Sequence, residues 1–84
     1  MGRGTTNADF VEDFCRRVKA AREMAGYADR DAFAKLMGIE KDTYFRYESR
    51  TPLPHRYIPR FLELTGADAQ ILFTGKRELH RKTG

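Results

Sequence analysis

The stretch that decides the fold spans residues 28–48 and reads ADRDAFAKLMGIEKDTYFRYE. It divides at Gly38, because glycine takes the left-handed conformation that a sharp turn requires without steric strain. Asp29 is a good N-cap for a helix before this turn, and Ile39 returns the chain to the core after it. The packing residues of that helix recur at helical spacing and are Phe33, Ala34 and Met37. We therefore predict two short helices joined by a tight turn.

The second helix of this pair, predicted over about residues 41–49, has two different faces. At about 100° per residue, Tyr44 and Tyr47 lie within about 60° of each other and point inward. The opposite face presents four side chains, with Lys41 on a shoulder: Asp42, Phe45, Arg46 and Ser49. A helix that is held by its back and carries polar groups on its front meets the physical requirement for reading a groove of DNA.

Size and composition limit what the chain can be. Eighty-four residues form one small domain, and a 40% hydrophobic share with six phenylalanines and four tyrosines supports a collapsed core. Cys15 is the only cysteine, so it forms no internal disulfide, and a reducing cytoplasm is the expected location. No apolar run is long enough to cross a bilayer, so no membrane partner is expected. The net charge of +4 favours a polyanionic partner without establishing one.

The segment before this stretch predicts a first helix, and the segment after it predicts a loop. The first helix is capped by Thr6 or Asn7, runs to about Ala25 and stops at Gly26. Its inner stripe recurs at helical spacing: Phe10, Phe14, Val18, Ala21 and Ala25. Residues 51–54, TPLP, are too rich in proline for a helix and form a loop.

Two further helices follow the proline-rich loop. Pro59 fits the first turn of a fourth helix, where its missing N–H does no harm, and Gly66 ends that helix. Asp68 caps a fifth helix, which Gly75 ends. The apolar residues of these two helices are Phe61, Leu62, Leu64, Ile71, Leu72 and Phe73.

Together these segments predict an all-α fold class, a compact five-helix bundle in one domain over residues 9–75. Residues 1–8 are expected to be a flexible N-terminal arm. Residues 76–84, KRELHRKTG, have little to bury and are expected to be a mobile basic tail.

A further set of residues has a specific order and spacing. These residues lie between positions 14 and 75 and are Arg17-Val18-Lys19, Arg22, Gly26, Phe33-Ala34, Met37-Gly38-Ile39, Thr43-Tyr44, Arg46-Tyr47-Glu48, Pro54, Leu64-Thr65-Gly66-Ala67-Asp68 and Leu72-Phe73-Thr74-Gly75. The pattern resembles the Cro/C1-type helix-turn-helix family of phage and bacterial repressors. This resemblance implies a lambda-repressor-like DNA-binding domain in a bacterial or phage-encoded protein, associated with the nucleoid when bound. It also implies sequence-specific binding of double-stranded DNA, repression of transcription, and a homodimer that reads two half-sites one helical turn apart.

By this resemblance, base edges are read by Lys41, Asp42 and Arg46. The planar fork of Arg46 can donate twice to guanine, a contact worth about 1–3 kcal/mol in discrimination, whereas the alternative is a solvated surface arginine, with or without a pairing to Asp42. Asp42 can accept from cytosine N4, although the helix dipole explains an acid in the first turn equally well. Phe45 can contact a thymine methyl group or belong to a protein interface, and the sequence leaves both open.

The resemblance also assigns phosphate contacts and one structural pair. The phosphate contacts are Arg30, Thr43, Ser49, Arg50 and Arg56, and Arg60 is added because the start of the fourth helix lies beside the DNA backbone in the family. A partly buried ion pair between Arg22 and Glu48 is expected to fix the reading helix against the first helix. Glu48 is then neither a DNA contact nor a catalytic acid.

The charge around the reading helix is balanced. Four acidic and four basic residues cancel formally: Asp29, Asp31, Glu40, Asp42, Arg30, Lys41, Arg46 and Arg50. The excess positive charge lies in the first helix, around the fourth helix and in the tail: Arg16, Arg17, Lys19, Arg22, Arg56, Arg60, Lys76, Arg77, Arg81 and Lys82. For the first helix an ordinary solvated surface is the expectation, and affinity for DNA is expected to need the other basic residues.

Other functions are less well supported by the sequence. Ser49 is the only serine and His55 and His80 are the only histidines, so neither catalysis nor a metal site is expected, and no cofactor or small-molecule ligand. The rival hypothesis is a helix-turn-helix fold that binds a protein, as an antitoxin-like or adaptor module, because the front carries acidic residues and Phe45. The end of the fifth helix is a candidate dimer surface, although core packing is the commoner fate of its residues: Ile71, Leu72 and Phe73.

Overall fold

The regular structure of this chain is helical throughout the part that the computed structural model describes, residues 7–75, with side chains from residue 10 onward. The five α-helices are α1 (Asn7–Met24), α2 (Arg30–Met37), α3 (Lys41–Tyr47), α4 (Ile58–Thr65) and α5 (Ala69–Thr74), and a 3-10 turn, His55–Tyr57, leads into α4. No strand occurs in these residues, so the all-α prediction is confirmed. No described helix combines the length and the hydropathy that crossing a bilayer needs. The expected basic tail, residues 76–84, lies outside the described residues.

The turn between α2 and α3 forms as the sequence predicts. The Asp29 carboxylate accepts from the Ala32 N–H at 3.1 Å and caps α2. Gly38 has φ +75°, and the following Ile39 N–H closes the helix end by donating to the Ala34 carbonyl at 2.9 Å. α3 begins three residues after Gly38, so the two helices are held in one rigid unit by local hydrogen bonds.

The inner stripe predicted for α1 is correct only in its middle. Phe14 and Val18 are buried, but Phe10 is 45% exposed and Ala25 is exposed. The helix ends at Met24, so Ala25 lies in the turn that follows, and Phe10 stacks on the ring of Phe14 near the start of the helix, with centroids 6.0 Å apart. Two residues that the stripe omitted, Cys15 and Arg22, are buried instead. The helix begins at Asn7, and residues 1–6 of the expected arm lie outside the described residues.

The core is built around an aromatic cluster centred on Phe33. Its ring lies 4.9 Å from that of Tyr27, 5.6 Å from that of Tyr44 and 5.8 Å from that of Phe61, measured between centroids. The remaining buried hydrophobic residues surround it: Phe14, Val18, Ala34, Met37, Ile39, Tyr47, Leu53, Ile58 and Leu72. Burial of each large side chain stabilises the fold by about 1.5–3 kcal/mol. Tyr44 of α3 is fully buried and packs on Phe33 of α2, so α3 is anchored to the core through its inner face.

The end of α3 differs from the prediction. The helix stops at Tyr47 and not at Ser49. The Arg46 carbonyl accepts from the N–H groups of three successive residues, Ser49, Arg50 and Thr51, at 3.1, 2.8 and 2.8 Å, so the chain folds into a turn there. The proline-rich loop follows as predicted, and Pro59 lies in the first turn of α4.

Candidate nucleic-acid interface

One face of α3 and of the turn after it is exposed, and we call it the α3 outer face. Its members are Lys41, Asp42, Phe45, Arg46 and Ser49, all of them exposed. The opposite face is buried through Tyr44 and Tyr47, whose rings meet edge to face at 6.4 Å. The helix therefore has the buried inner face and the exposed outer face that its periodicity predicts.

The N-terminus of α3 is capped by Glu40, which was expected only to contribute a negative charge. The Glu40 carboxylate accepts from the Asp42 N–H at 3.0 Å and from the Thr43 N–H at 3.2 Å. These two amides are consequently occupied and are not available to a ligand. Glutamate is not among the preferred capping residues, so this role could not be predicted from the residue type.

A buried ion pair joins α3 to α1, as the sequence analysis expected. Arg22 Nε donates to Glu48 Oε2 at 2.7 Å and Arg22 Nη2 donates to Glu48 Oε1 at 3.2 Å. Arg22 Nη1 also donates to the carbonyls of Tyr27 and Ala28, in the connection between α1 and α2. Burial alone would lower the pKa of Arg22, but the hydrogen bonds and charge of Glu48 outweigh it and raise that pKa. The charged pair thus ties three segments together behind α3.

The Tyr44 hydroxyl lies beside this ion pair. It is buried and makes no hydrogen bond of standard geometry within the described residues. Burial, aided by the neighbouring Glu48 carboxylate, raises the pKa of the Tyr44 phenol well above its ordinary value of 10.0. Tyr44 therefore contributes its ring to the core and remains neutral at physiological pH.

The three candidate base readers, Lys41, Asp42 and Arg46, all lie on the α3 outer face. Within residues 10–75, Arg46 forms no ion pair with Asp42, although the two are one turn apart. Arg46 is therefore an exposed arginine without that ion pair, which fits both a base reader and a solvated surface residue. Its guanidinium group is free to donate to a ligand.

The candidate phosphate contacts on and after α3 differ in their availability. Arg50 is exposed, whereas Thr43 is half-buried. The Ser49 hydroxyl donates to the Phe45 carbonyl at 2.7 Å, so its single proton is already used. A phosphate oxygen needs a donor, and Ser49 could supply one only by breaking this bond.

The other two candidate phosphate contacts are stacked on aromatic rings. The Cζ atom of Arg30 lies 4.5 Å from the centroid of the Phe45 ring, and that of Arg56 lies 4.9 Å from the centroid of the Tyr57 ring. The sequence placed Phe45 on the exposed face but could not show that a residue of α2 covers its ring.

Two arginines expected elsewhere have structural partners. Arg60, expected to contact phosphate, donates from Nε and Nη2 to the Leu36 carbonyl at 3.2 and 3.1 Å and so joins α4 to the end of α2. Arg17, expected on a solvated surface, donates to the last carbonyls of α5, to Leu72 at 2.7 Å and to Phe73 at 3.2 Å. The expectation for Arg17 is corrected: cationic groups near helix C-termini are stabilised by the unpaired carbonyls there.

Two surfaces bear on the alternatives to DNA binding. A hollow between α2 and the start of α3 has an apolar lining with exposed Leu36, and both acidic and basic side chains border it, among them Asp31, Lys35 and Glu40. At the end of α5, Leu72 is buried in the core, whereas Phe73 is exposed and stacks on Phe14 with centroids 5.4 Å apart. Only part of the candidate dimer surface is therefore accessible.

No family model, curated protein or solved structure gives a significant match to this chain.

Proposed function

We propose that this protein is a sequence-specific double-stranded-DNA-binding regulator of transcription, and that it represses by occupying its site. α2, the turn at Gly38 and α3 act as a helix-turn-helix unit of the lambda-repressor-like type, and α3 enters the major groove. The resemblance to the Cro/C1-type family supports this function. A homodimer that places two such units one helical turn apart completes the proposal.

The observation that carries the proposal is the α3 outer face. It combines an unpaired Arg46 with a rigid back, because Tyr44 is in the core and Glu48 is held by Arg22. A fixed helix that presents an unpartnered guanidinium can donate twice to a guanine edge without first reorganising. Lys41 and Asp42 stand beside it as further base contacts.

Affinity comes mainly from phosphate contacts. Arg30, Arg50 and Arg56 supply them, because their guanidinium groups form no ion pair within the described residues. Arg60 and Arg17 do not contribute, because each is bound to a helix end. Each phosphate that is neutralised should steepen the dependence of log K on log salt by about 0.9.

The proposal is tested by selecting bound duplexes from a random pool with the wild-type protein. Affinities for the enriched duplex and for a scrambled duplex are then measured at about 50 and 200 mM salt. A sequence reader prefers the enriched duplex at both salt concentrations. The absence of enrichment, or binding that is equal for both duplexes and is erased by salt, rejects the proposal.

The hollow beside α2 favours a second candidate function, a protein-interaction module. Its apolar lining at Leu36, bordered by side chains of both charges, suits a partner that inserts an apolar group. The same selection discriminates between the two functions, because an adaptor module enriches no duplex.

A further inference from the structure

Two arginine side chains are held on aromatic rings next to α3. Arg30 is stacked on Phe45, and Arg56 on Tyr57, with the distances given above. The Tyr57 ring is itself packed against Tyr47 of α3, with centroids 6.3 Å apart. A guanidinium over an aromatic face is attracted by the ring quadrupole, so both arginines are restrained in direction.

Helical periodicity places Phe45 and Tyr47 on different sides of α3. At about 100° per residue, Phe45 lies on the α3 outer face, whereas Tyr47 points to the core. Arg30 therefore approaches from α2 at the edge of the α3 outer face where Phe45 lies. Arg56 belongs to the connection to α4 and stacks on the Tyr57 ring, which packs on the buried side of the helix. A helix in the major groove has a sugar–phosphate backbone along each side.

Both guanidinium groups retain free donors. Arg30 forms no hydrogen bond or ion pair within residues 10–75, and only its Nε is shut off from solvent. Its two terminal nitrogens consequently reach solvent with their protons unused. Arg56 is exposed, and its guanidinium likewise has no hydrogen-bonding partner in the described part of the chain.

We propose that Phe45 and Tyr57 are positioning residues, which hold Arg30 and Arg56 as phosphate contacts beside α3, Arg30 at the edge of the α3 outer face and Arg56 at the connection to α4. This inference rests on the proposed function, DNA binding through α3. A guanidinium that is already directed loses less conformational freedom when its fork binds a phosphate oxygen pair. Phe45 then acts on DNA only through Arg30 and touches neither a thymine methyl group nor a protein partner.

A mutant cycle tests the Arg30 side of the pair. Fluorescence anisotropy gives the affinity of R30Q, F45L and R30Q/F45L for the duplex that the wild-type protein enriches, over a range of salt concentrations. R30Q should weaken binding by about tenfold and lower the salt slope by about 0.9. F45L should weaken binding by about threefold in the wild-type background and by nothing further in the R30Q background. F45Y keeps an aromatic ring and should bind like the wild type.

The same cycle with R56Q and Y57L tests the other side. Tyr57 is half-buried, so Y57L also loses core packing. The conservative variant Y57F keeps the ring and should keep wild-type affinity, and urea denaturation of each variant shows how much of any loss reflects unfolding. None of these variants should change the enriched sequence, because phosphate contacts carry no base information.

A DNA-free measurement keeps the inference independent of the pool selection. In the free protein, the Arg30 side-chain Nε–H resonance should be shifted by the Phe45 ring, lose that shift in F45L and keep it in F45Y. An unchanged resonance in F45L overturns the stack. Additive losses of affinity in the cycle, or an altered base preference in F45L, overturn the positioning role while leaving the proposed function in place. If the wild-type protein enriches no duplex, the proposed function fails and this inference fails with it.

Discussion

Replacement of Arg22 by methionine should be the most destabilising single change among the polar residues described here. The arginine is 3% exposed and the Glu48 side chain 2%, so Arg22→Met leaves a carboxylate buried without its counter-charge. It also removes the donor to the carbonyls of Tyr27 and Ala28. Breaking one partner of a buried pair costs about 3–5 kcal/mol. A domain of this size has a total stability of about 4–13 kcal/mol, so the variant loses a large fraction of it.

The measurement is urea denaturation followed by far-UV circular dichroism. The double variant R22M/E48L removes both charges and should recover most of the loss, because no unpaired ion remains in the interior. Arg16→Met is the matched control, since the Arg16–Asp13 pair is 65% and 51% exposed and should be worth less than about 1 kcal/mol. Wild-type stability for R22M, or a double variant as unstable as the single one, would show that this ion pair does not stabilise the packing of α3.

Two further predictions concern single side chains behind the candidate interface. Tyr44→Phe removes a buried hydroxyl that makes no hydrogen bond of standard geometry, so thermal melts at pH 7 should show unchanged or higher stability, by up to about 1 kcal/mol. The pKa of Tyr44 is raised in the folded state, so the wild-type free energy of unfolding should be fully present below pH 10.0 and should fall as the pH rises above it. Y44F should show a shallower fall. Equal alkaline slopes for the two proteins would contradict this. Arg17→Met removes the two bonds to the end of α5 and should cost about 1 kcal/mol. Hydrogen exchange should then accelerate in α5 and not in α3, and acceleration in both would show that Arg17 supports more than α5.

Local signals predicted most helix boundaries correctly. Asp29 and Asp68 cap α2 and α5, and Gly38 and Gly66 end α2 and α4 in the left-handed conformation. Each of these features depends on residues within one turn of the chain, so a sequence pattern is enough to find it. The end of α3 was misplaced because it has no glycine, and the turn there depends on the Arg46 carbonyl.

The roles of the arginines could not be read from the sequence in the same way. Arg17 binds a carbonyl 55 positions away and Arg60 one 24 positions away, and only the packing of the helices brings those carbonyls within reach. Charge patterning put both residues on a solvated or DNA-facing surface for this reason. The contact of Arg30 with Phe45 could not be predicted either, because helical periodicity shows on which face Phe45 lies and not which side chain covers its ring. The partnership of Arg22 with Glu48 came from the family resemblance and not from spacing alone.

The most direct measurement of whether the α3 outer face reads DNA sequence is a comparison of base preference between the wild-type protein and Arg46→Met. Each base pair of the enriched duplex is replaced in turn, and competition binding gives the discrimination at every position. R46M should lose about 1–3 kcal/mol of discrimination at one G·C pair and keep its preference elsewhere, while R16M behaves as the wild type. Identical preferences for R46M and the wild-type protein, or no enriched duplex at all, would contradict a reading role for Arg46.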